Sequence, residues 1–363
     1  MAEASVEDKE NIDPSLISID YEKMASVTKI GTNGPVLQEP LEGVSSEGEI
    51  FHSTPQGQYL EVSPTLDRGL AVFAVRRIKA GTLIHSEDPL FSLCKDEEDD
   101  HAAIQREFSK LSRTNRTKFL KLFDAEKSRM SQVASIYYSN CYNLDSFAPN
   151  GRGGSVVGDL SSRFNHSCIP NVQFSYNFDR RQMMFYAIRD IPRGKEVCSS
   201  YEKNVFEIAT RRRQKLQMYY AFVCHCEACE GASKNEFWGR SDERRRTMRD
   251  VFKHVQNCEK NFLLGDDGHN SPTRGHKDAI IEEARSALAK LEALLLKEGL
   301  MGVVLANIYR SLSKWSERKQ LLVDAVKWKD LERHHCMMGL GGHALRTKEA
   351  GEKLAELKAR LEA

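Results

Sequence analysis

No apolar stretch in this 363-residue chain approaches the ~20 residues that a membrane-spanning helix needs: Leu294 to Leu296 and Gly302 to Ala306 are among the longest, and each is a few residues. Charge of one sign is also missing. Lys and Arg number 53 and Asp and Glu 52, so the net charge of +1 supplies no general attraction for nucleic acid. The first residues are acidic and have no apolar core, so neither an export signal nor an arginine-rich transit segment is read there, and the expected compartment is the nucleus or cytoplasm. Aromatic residues are scarce up to about position 50, where acidic side chains outnumber basic ones. Such a segment buries too little to offset its ordering entropy, which predicts a disordered acidic arm over 1–54. Cysteines number nine, an odd count that fits free thiols and a metal site better than a disulfide framework.

What is present begins as strand and turn. Tyr59 to Val62, Leu70 to Val75 and Thr82 to Glu87 read as short strands, separated by a bend ending at Gly69 and the turn Lys79-Ala80-Gly81. Short strands with tight turns predict small curved sheets. Between Asp96 and about Asn143 the apolar period becomes about 3.6, with Phe108, Leu111, Phe119, Leu122 and Phe123 on one face, a helical insertion. Strands return at Val172 to Tyr176 and Gln182 to Ile188, and a Pro-Arg-Gly turn at Pro192 leads into Lys195 to Tyr201. Beyond Asp242 the chain reads as helices, with Ile280, Ile281, Ala284, Leu288, Leu291, Leu294 and Leu295 in one apolar stripe, either core or a groove for a protein partner. The class is α+β. Two basic runs, Arg211-Arg212-Arg213 and Arg244-Arg245-Arg246, are read as solvated helix faces.

Cys224-His225-Cys226-Glu227-Ala228-Cys229 packs three thiols into six residues, a metal-site sequence because a soft divalent ion favours several thiolates at once. Tetrahedral zinc needs a fourth ligand. Cys168, His225, Cys198 and Cys258 compete for that place. Redox thiols are the rival reading, but the strand and helix context of a thioredoxin-like motif is lacking.

In chain order the pieces are Arg68-Gly69-Leu70-Ala71-Val72-Phe73-Ala74, Ile78-Lys79-Ala80-Gly81, Glu87-Asp88-Pro89-Leu90, Asn140 with Tyr142, Arg163-Phe164-Asn165-His166-Ser167-Cys168-Ile169-Pro170-Asn171, Gly194-Lys195-Glu196 through Tyr201, and the cysteine run. Together they resemble a SET-domain lysine methyltransferase, most of all the branch related to the SET-and-MYND proteins, over about Tyr59 to Cys229. The resemblance implies a SET domain over 55–203 with its helical insertion at about 96–145, a zinc-binding post-SET segment over 204–232 and a helical C-terminal region over 240–363. It implies that S-adenosylmethionine is held by Arg68, Gly69, Leu70, Asn140, Asn165, His166, Tyr201 and Phe222, that Tyr201 is the catalytic tyrosine, and that a structural zinc is bound by Cys168, Cys224, Cys226 and Cys229. The implied activity is methylation of a target lysine in a protein, a histone among the candidates. Direct nucleic-acid or membrane binding is not expected.

Two departures bear on this. Where many relatives carry Gly-x-Gly, this chain has Gly69-Leu70-Ala71, and a methyl at Ala71 would crowd the cofactor or strain the backbone if φ were positive there. That motivates a competing reading, a catalytically weak or inactive SET scaffold acting through protein contacts. Only Cys94 and Cys141 lie between Gly81 and Cys168, so no MYND finger is expected in the insertion.

Overall fold

The computed structural model describes residues 59–127, 130–148, 150–202, 204–231, 235–264 and 274–363. The acidic arm expected over 1–54 lies outside these residues. Strands β1 (Leu60–Pro64) and β2 (Leu70–Ala74) form an antiparallel hairpin. Its bend closes when the Thr65 N–H and hydroxyl both donate to the Gly69 carbonyl, at 2.7 and 2.9 Å. Gly69 has φ +67°, a left-handed conformation that glycine takes without steric cost. Ala71 lies one step inside β2, paired with Ser63 and fully buried, so the positive φ of this stretch falls on Gly69 and the expected strain at Ala71 does not arise.

β3 (Leu83–Glu87) and β4 (Phe91–Leu93) follow, then helices α1 (His101–Lys110), α2 (Arg113–Leu120) and α3 (Gln132–Asn140). Asp100, Ser112 and Ser131 cap the three helices by accepting from backbone N–H groups of the first turn. β5 (Tyr142–Asn143), β6 (Ser155–Val157), β7 (Val172–Asn177) and β8 (Gln182–Ala187) complete two antiparallel sheets, ordered β3-β8-β7 and β4-β6-β5. The second sheet was not expected, since strands of two or three residues carry no readable alternation. Its cover is the insertion, where Phe91, Phe119 and Tyr137 stack within a small core of their own. Phe123 breaks from the expected face: α2 stops at Leu120, and Phe123 is 50% exposed. Lys195 to Tyr201 is not a regular strand; it is bonded to β2 on one side and to the segment 165–172 on the other, with isolated bridges of Phe73 with Glu196 and His166 with Ser199.

The C-terminal part contains α4 (Ala209–Tyr220), α5 (Glu227–Glu230), α6 (Glu236–Gly239), α7 (Ser241–Leu264), α8 (Arg274–Glu298), α9 (Val303–Arg318), α10 (Leu322–Leu340) and α11 (Leu345–Glu362). Most of the apolar stripe of α8 is core: Ile280, Ile281, Ala284, Leu288, Leu291 and Leu295 are buried with Trp315 and Trp328, and Leu294 is partly buried against them. This region docks on β7. The Gln173 side chain accepts from the Val303 N–H at 3.1 Å, the Ser175 hydroxyl donates to the Leu340 carbonyl at 2.9 Å, and a Cβ on Gly302 would lie 2.4 Å from the Gln173 amide oxygen. Among the described residues no helix is long and apolar enough to cross a membrane.

Candidate active site and metal centre

The segment 165–171 and the segment 196–201 run side by side and are knitted by backbone bonds. Ser199 N–H donates to the Asn165 carbonyl at 3.0 Å, and Ser167 N–H to the Ser199 carbonyl at 2.9 Å. Asn171 fastens the other end, its amide donating to the Glu196 carbonyl at 2.8 Å and its oxygen accepting from the Cys198 N–H at 2.9 Å. Asparagine suits this role because one side chain presents a donor and an acceptor. Asn165 donates to Glu196 Oε1 at 3.0 Å and to the Leu70 carbonyl at 3.3 Å, while Arg68 forms an ion pair with Glu196 Oε2 at 2.9 Å. Glu196 therefore joins the Arg68-Gly69-Leu70 turn to the Asn165-His166 pair.

His166 is buried with both ring nitrogens engaged. The Tyr201 N–H donates to Nδ1 at 3.0 Å, so the proton sits on Nε2, which faces Cys168 Sγ at 3.2 Å. Burial pulls its pKa down to about 4, and a neutral imidazole matches these bonds. The Tyr201 hydroxyl donates to the Phe164 carbonyl at 2.9 Å. Its ring centroid lies 5.3 Å from that of His166, 4.9 Å from Tyr220 and 6.2 Å from Phe222. Burial first, then the neighbouring phenols of Tyr142 and Tyr220, hold the Tyr201 phenol well above its ordinary pKa, so it stays neutral.

Among Tyr176, Phe185, Tyr186 and Tyr220, the aromatics that could wall a pocket beside Tyr201, Tyr220 stands next to it. Tyr176 pairs with Phe178, Tyr186 with His343, and Phe185 lies in the sheet core against Tyr142. Tyr220 and Phe222 flank Ala221, whose φ of +57° ends α4 and turns the chain toward Cys224. Lys127 shows what this wall attracts: its ammonium lies 5.8 Å from the Tyr220 ring centroid and donates to the Tyr219 carbonyl. Asn140 ends α3. Its amide donates at 2.7 Å to the carbonyls of Phe123 and Ile136, so its donors serve the insertion.

Next to His166 the structure gathers Cys168, Cys224, Cys226 and Cys229, with all four sulfurs within 4.8 Å of one another. Cys168 Sγ is 3.9 Å from Cys224 Sγ and 3.5 Å from Cys229 Sγ. A tetrahedral zinc with bonds of about 2.3 Å separates its sulfurs by about 3.8 Å, so the donor set fits that ion. Hydrogen bonds from Cys168 and its neighbours hold Cys226 well below the usual thiol range, and contacts with Cys224 and the others push Cys168 well above it. Of the rival fourth ligands, His225 is exposed and bonded to Glu230 at 2.7 Å, while Cys258 lies beside His254 and Glu283 elsewhere on the helices.

The basic runs depart from the expectation of solvated faces. Arg212, Arg244 and Arg245 are buried. Arg212 donates from Nε to Cys168 Sγ at 3.1 Å and from Nη2 to Cys229 Sγ at 3.3 Å and the Ala228 carbonyl at 3.0 Å. Arg213 donates to the Cys224 carbonyl at 2.9 Å. A readable signal existed in the placement of Arg212 four residues before the apolar Leu216, on the inward face of α4.

Residues 69–202 match the SET domain family model. Over 169 residues the chain is 30% identical to the histone-lysine N-methyltransferase set5 of Schizosaccharomyces pombe, covering 47% of this chain and 50% of that protein. It is 29% identical over 131 residues to SET domain-containing protein L678 of Acanthamoeba polyphaga mimivirus, covering 36% of this chain and 48% of that one. It is also 33% identical over 133 residues to the N-lysine methyltransferase SMYD2-B of Danio rerio, covering 35% of this chain and 30% of that one. The chain thus spans about half the length, or less, of these curated relatives.

Proposed function

We propose that the chain is an S-adenosylmethionine-dependent protein-lysine N-methyltransferase of the nucleus or cytoplasm, with a histone or another protein as substrate. The observation that carries this is the meeting of Tyr201, Tyr220, Phe222 and His166 in one aromatic cluster inside a SET domain, beside the Arg68–Glu196–Asn165 link. The cofactor supplies an electrophilic methyl group on a sulfonium. Its fit rests on the half-exposed face of Phe222 and on the polar Asn165 and Arg68.

The protein's own task is alignment and desolvation, because in-line displacement needs no covalent enzyme intermediate. A lysine amine, with an ordinary pKa of about 10.4, attacks only when neutral, and a narrow aromatic pocket lowers that value by burial. Tyr201, kept neutral, orients the amine while its ring excludes water. Tyr220 forms the adjoining wall. A zinc held by Cys168, Cys224, Cys226 and Cys229 has no open coordination position and is structural, holding Phe222 near His166, whose ring centroid is 6.1 Å away. The scaffold reading gains nothing from Ala71, which sits unstrained in β2.

Incubating the chain with isotopically labelled S-adenosylmethionine and a lysine peptide array tests the reading. Label is expected on lysine, falling by about 100-fold or more in Tyr201→Phe while cofactor binding persists. Undiminished transfer by that variant would remove Tyr201 from the mechanism, and absence of cofactor binding by the wild type would favour the scaffold.

A further inference from the structure

Three guanidinium groups, those of Arg212, Arg244 and Arg245, are buried around the junction between the cysteine cluster and the helices. Arg244 and Arg245 share one buried carboxylate: Glu298 accepts from Arg244 Nε at 2.5 Å, from Arg245 Nε at 3.0 Å and from the Ser241 hydroxyl at 2.8 Å. Arg245 also reaches the metal segment, donating from Nη2 to the Cys168 carbonyl at 3.1 Å. Among direct hydrogen-bond partners these three positive charges meet one carboxylate, that of Glu298, while Glu202 acts on Arg212 at longer range and also faces Lys215. Buried charge without a counter-charge is strongly disfavoured. A divalent ion with four thiolates carries two negative charges, the amount that balances the cluster.

We infer that the metal–thiolate centre is the counter-ion of this buried arginine cluster, and that the charge of Arg212, placed on two of its sulfurs, sets how tightly the metal is held. Arg212 is a positioning residue in this account. It touches the ligands, and its donors engage the sulfur lone pairs that a proton or an electrophile would otherwise attack. Loss of a group that orients metal ligands lowers metal affinity by about 10–100-fold. The inference rests on the structural-zinc part of the proposed function.

The test uses the whole 363-residue chain purified with its zinc and challenged with a chromogenic chelator, reading the rate of zinc release. Arg212→Gln keeps hydrogen-bond donors and removes the charge, whereas Arg212→Lys keeps the charge. Release is expected about 10–100-fold faster for Gln and within about threefold of wild type for Lys. Gln releasing at the wild-type rate, or Lys releasing as fast as Gln, overturns the inference. Should the Gln chain fail to fold, as read by circular dichroism, Lys alone decides, and release about tenfold or more faster than wild type overturns it. A folded wild type purified without zinc removes the metal reading and this inference with it. A zinc-loaded wild type whose release is insensitive to residue 212 removes the inference alone.

Discussion

In the sheet-built half, residues 59–202, buried polar side chains bond mainly to backbone. Glu87 accepts from the N–H groups of Asp159, Leu160 and Ser161 at 3.1, 3.1 and 2.8 Å, and Tyr201 donates to the Phe164 carbonyl. In the helical half, buried polar side chains pair with opposite charge, as Glu298 does with two arginines and Lys329 does with Glu332 at 2.5 Å. Strands of two to six residues leave many backbone groups at their ends, and carboxylates and amides must satisfy them. Long helices satisfy their own backbone along their length, so a carboxylate buried between them draws on side-chain donors, while the arginines reach carbonyls only where the chain is not helical or a helix ends. The difference shows at Glu298, which closes α8 at the end where the helix dipole disfavours an anion, held there by three donors. The cysteine cluster belongs to both halves, with Cys168 from the first and Cys224, Cys226 and Cys229 from the second.

Breaking the shared element is expected to have the largest effect. Cys226→Ala should lose the bound zinc and, with it, stabilisation on the order of 10 kcal/mol at most, the scale of structural zinc sites, seen as a large drop in melting temperature. Elemental analysis and thermal melts check this, and a metal-free wild type that melts unchanged with and without chelator would contradict it. Next in size is the helical half. Glu298→Gln leaves Arg244 and Arg245 without their carboxylate and should cost about 3–5 kcal/mol in urea unfolding. A cost under about 1 kcal/mol would show that these arginines find another partner and that charge pairing does not distinguish this half.

The smallest effect is expected in the sheet half, and it carries a pH signature. Burial alone would raise the Glu87 pKa, but the neighbouring His85 ring and the hydroxyl and N–H of Ser161 together hold it below the usual carboxylate range. A depressed folded-state value stabilises the fold above the unfolded-state pKa, and that stability disappears as pH falls through the folded value. Glu87→Gln should therefore cost about 1–3 kcal/mol near neutrality, shrinking toward zero below about pH 4. A difference constant from pH 7 to pH 3 would assign the effect to shape alone.

Much of the first half was legible because its signals are local. The strands around Gly69 and Gly81 follow from turn chemistry, and the cysteine run announces its ligands by spacing. The sheet of β4, β6 and β5 was not legible, because Phe91-Ser92-Leu93 and Ser155-Val156-Val157 are too short to show a period. In the helical half the α8 stripe was readable as amphipathic, yet the fate of the arginine runs was not. Composition assigns charged runs to solvent, and only contact with distant residues reverses that.

The sequence by itself determined that thiols would crowd near position 226, that the Asn165-His166 stretch and Tyr201 fall within the residues that match the SET domain family model, and that the C-terminal part is helical, since periodicity, spacing and motif order are properties of the chain. Tertiary structure alone decided that Tyr220 is the aromatic beside Tyr201, and that Cys168 in place of Cys198 or Cys258 completes the sulfur set. It also decided that Arg212 lies on two of those sulfurs. Each of these joins residues far apart in the chain, and the desolvation that gives them their chemistry exists only once the two halves have closed on one another.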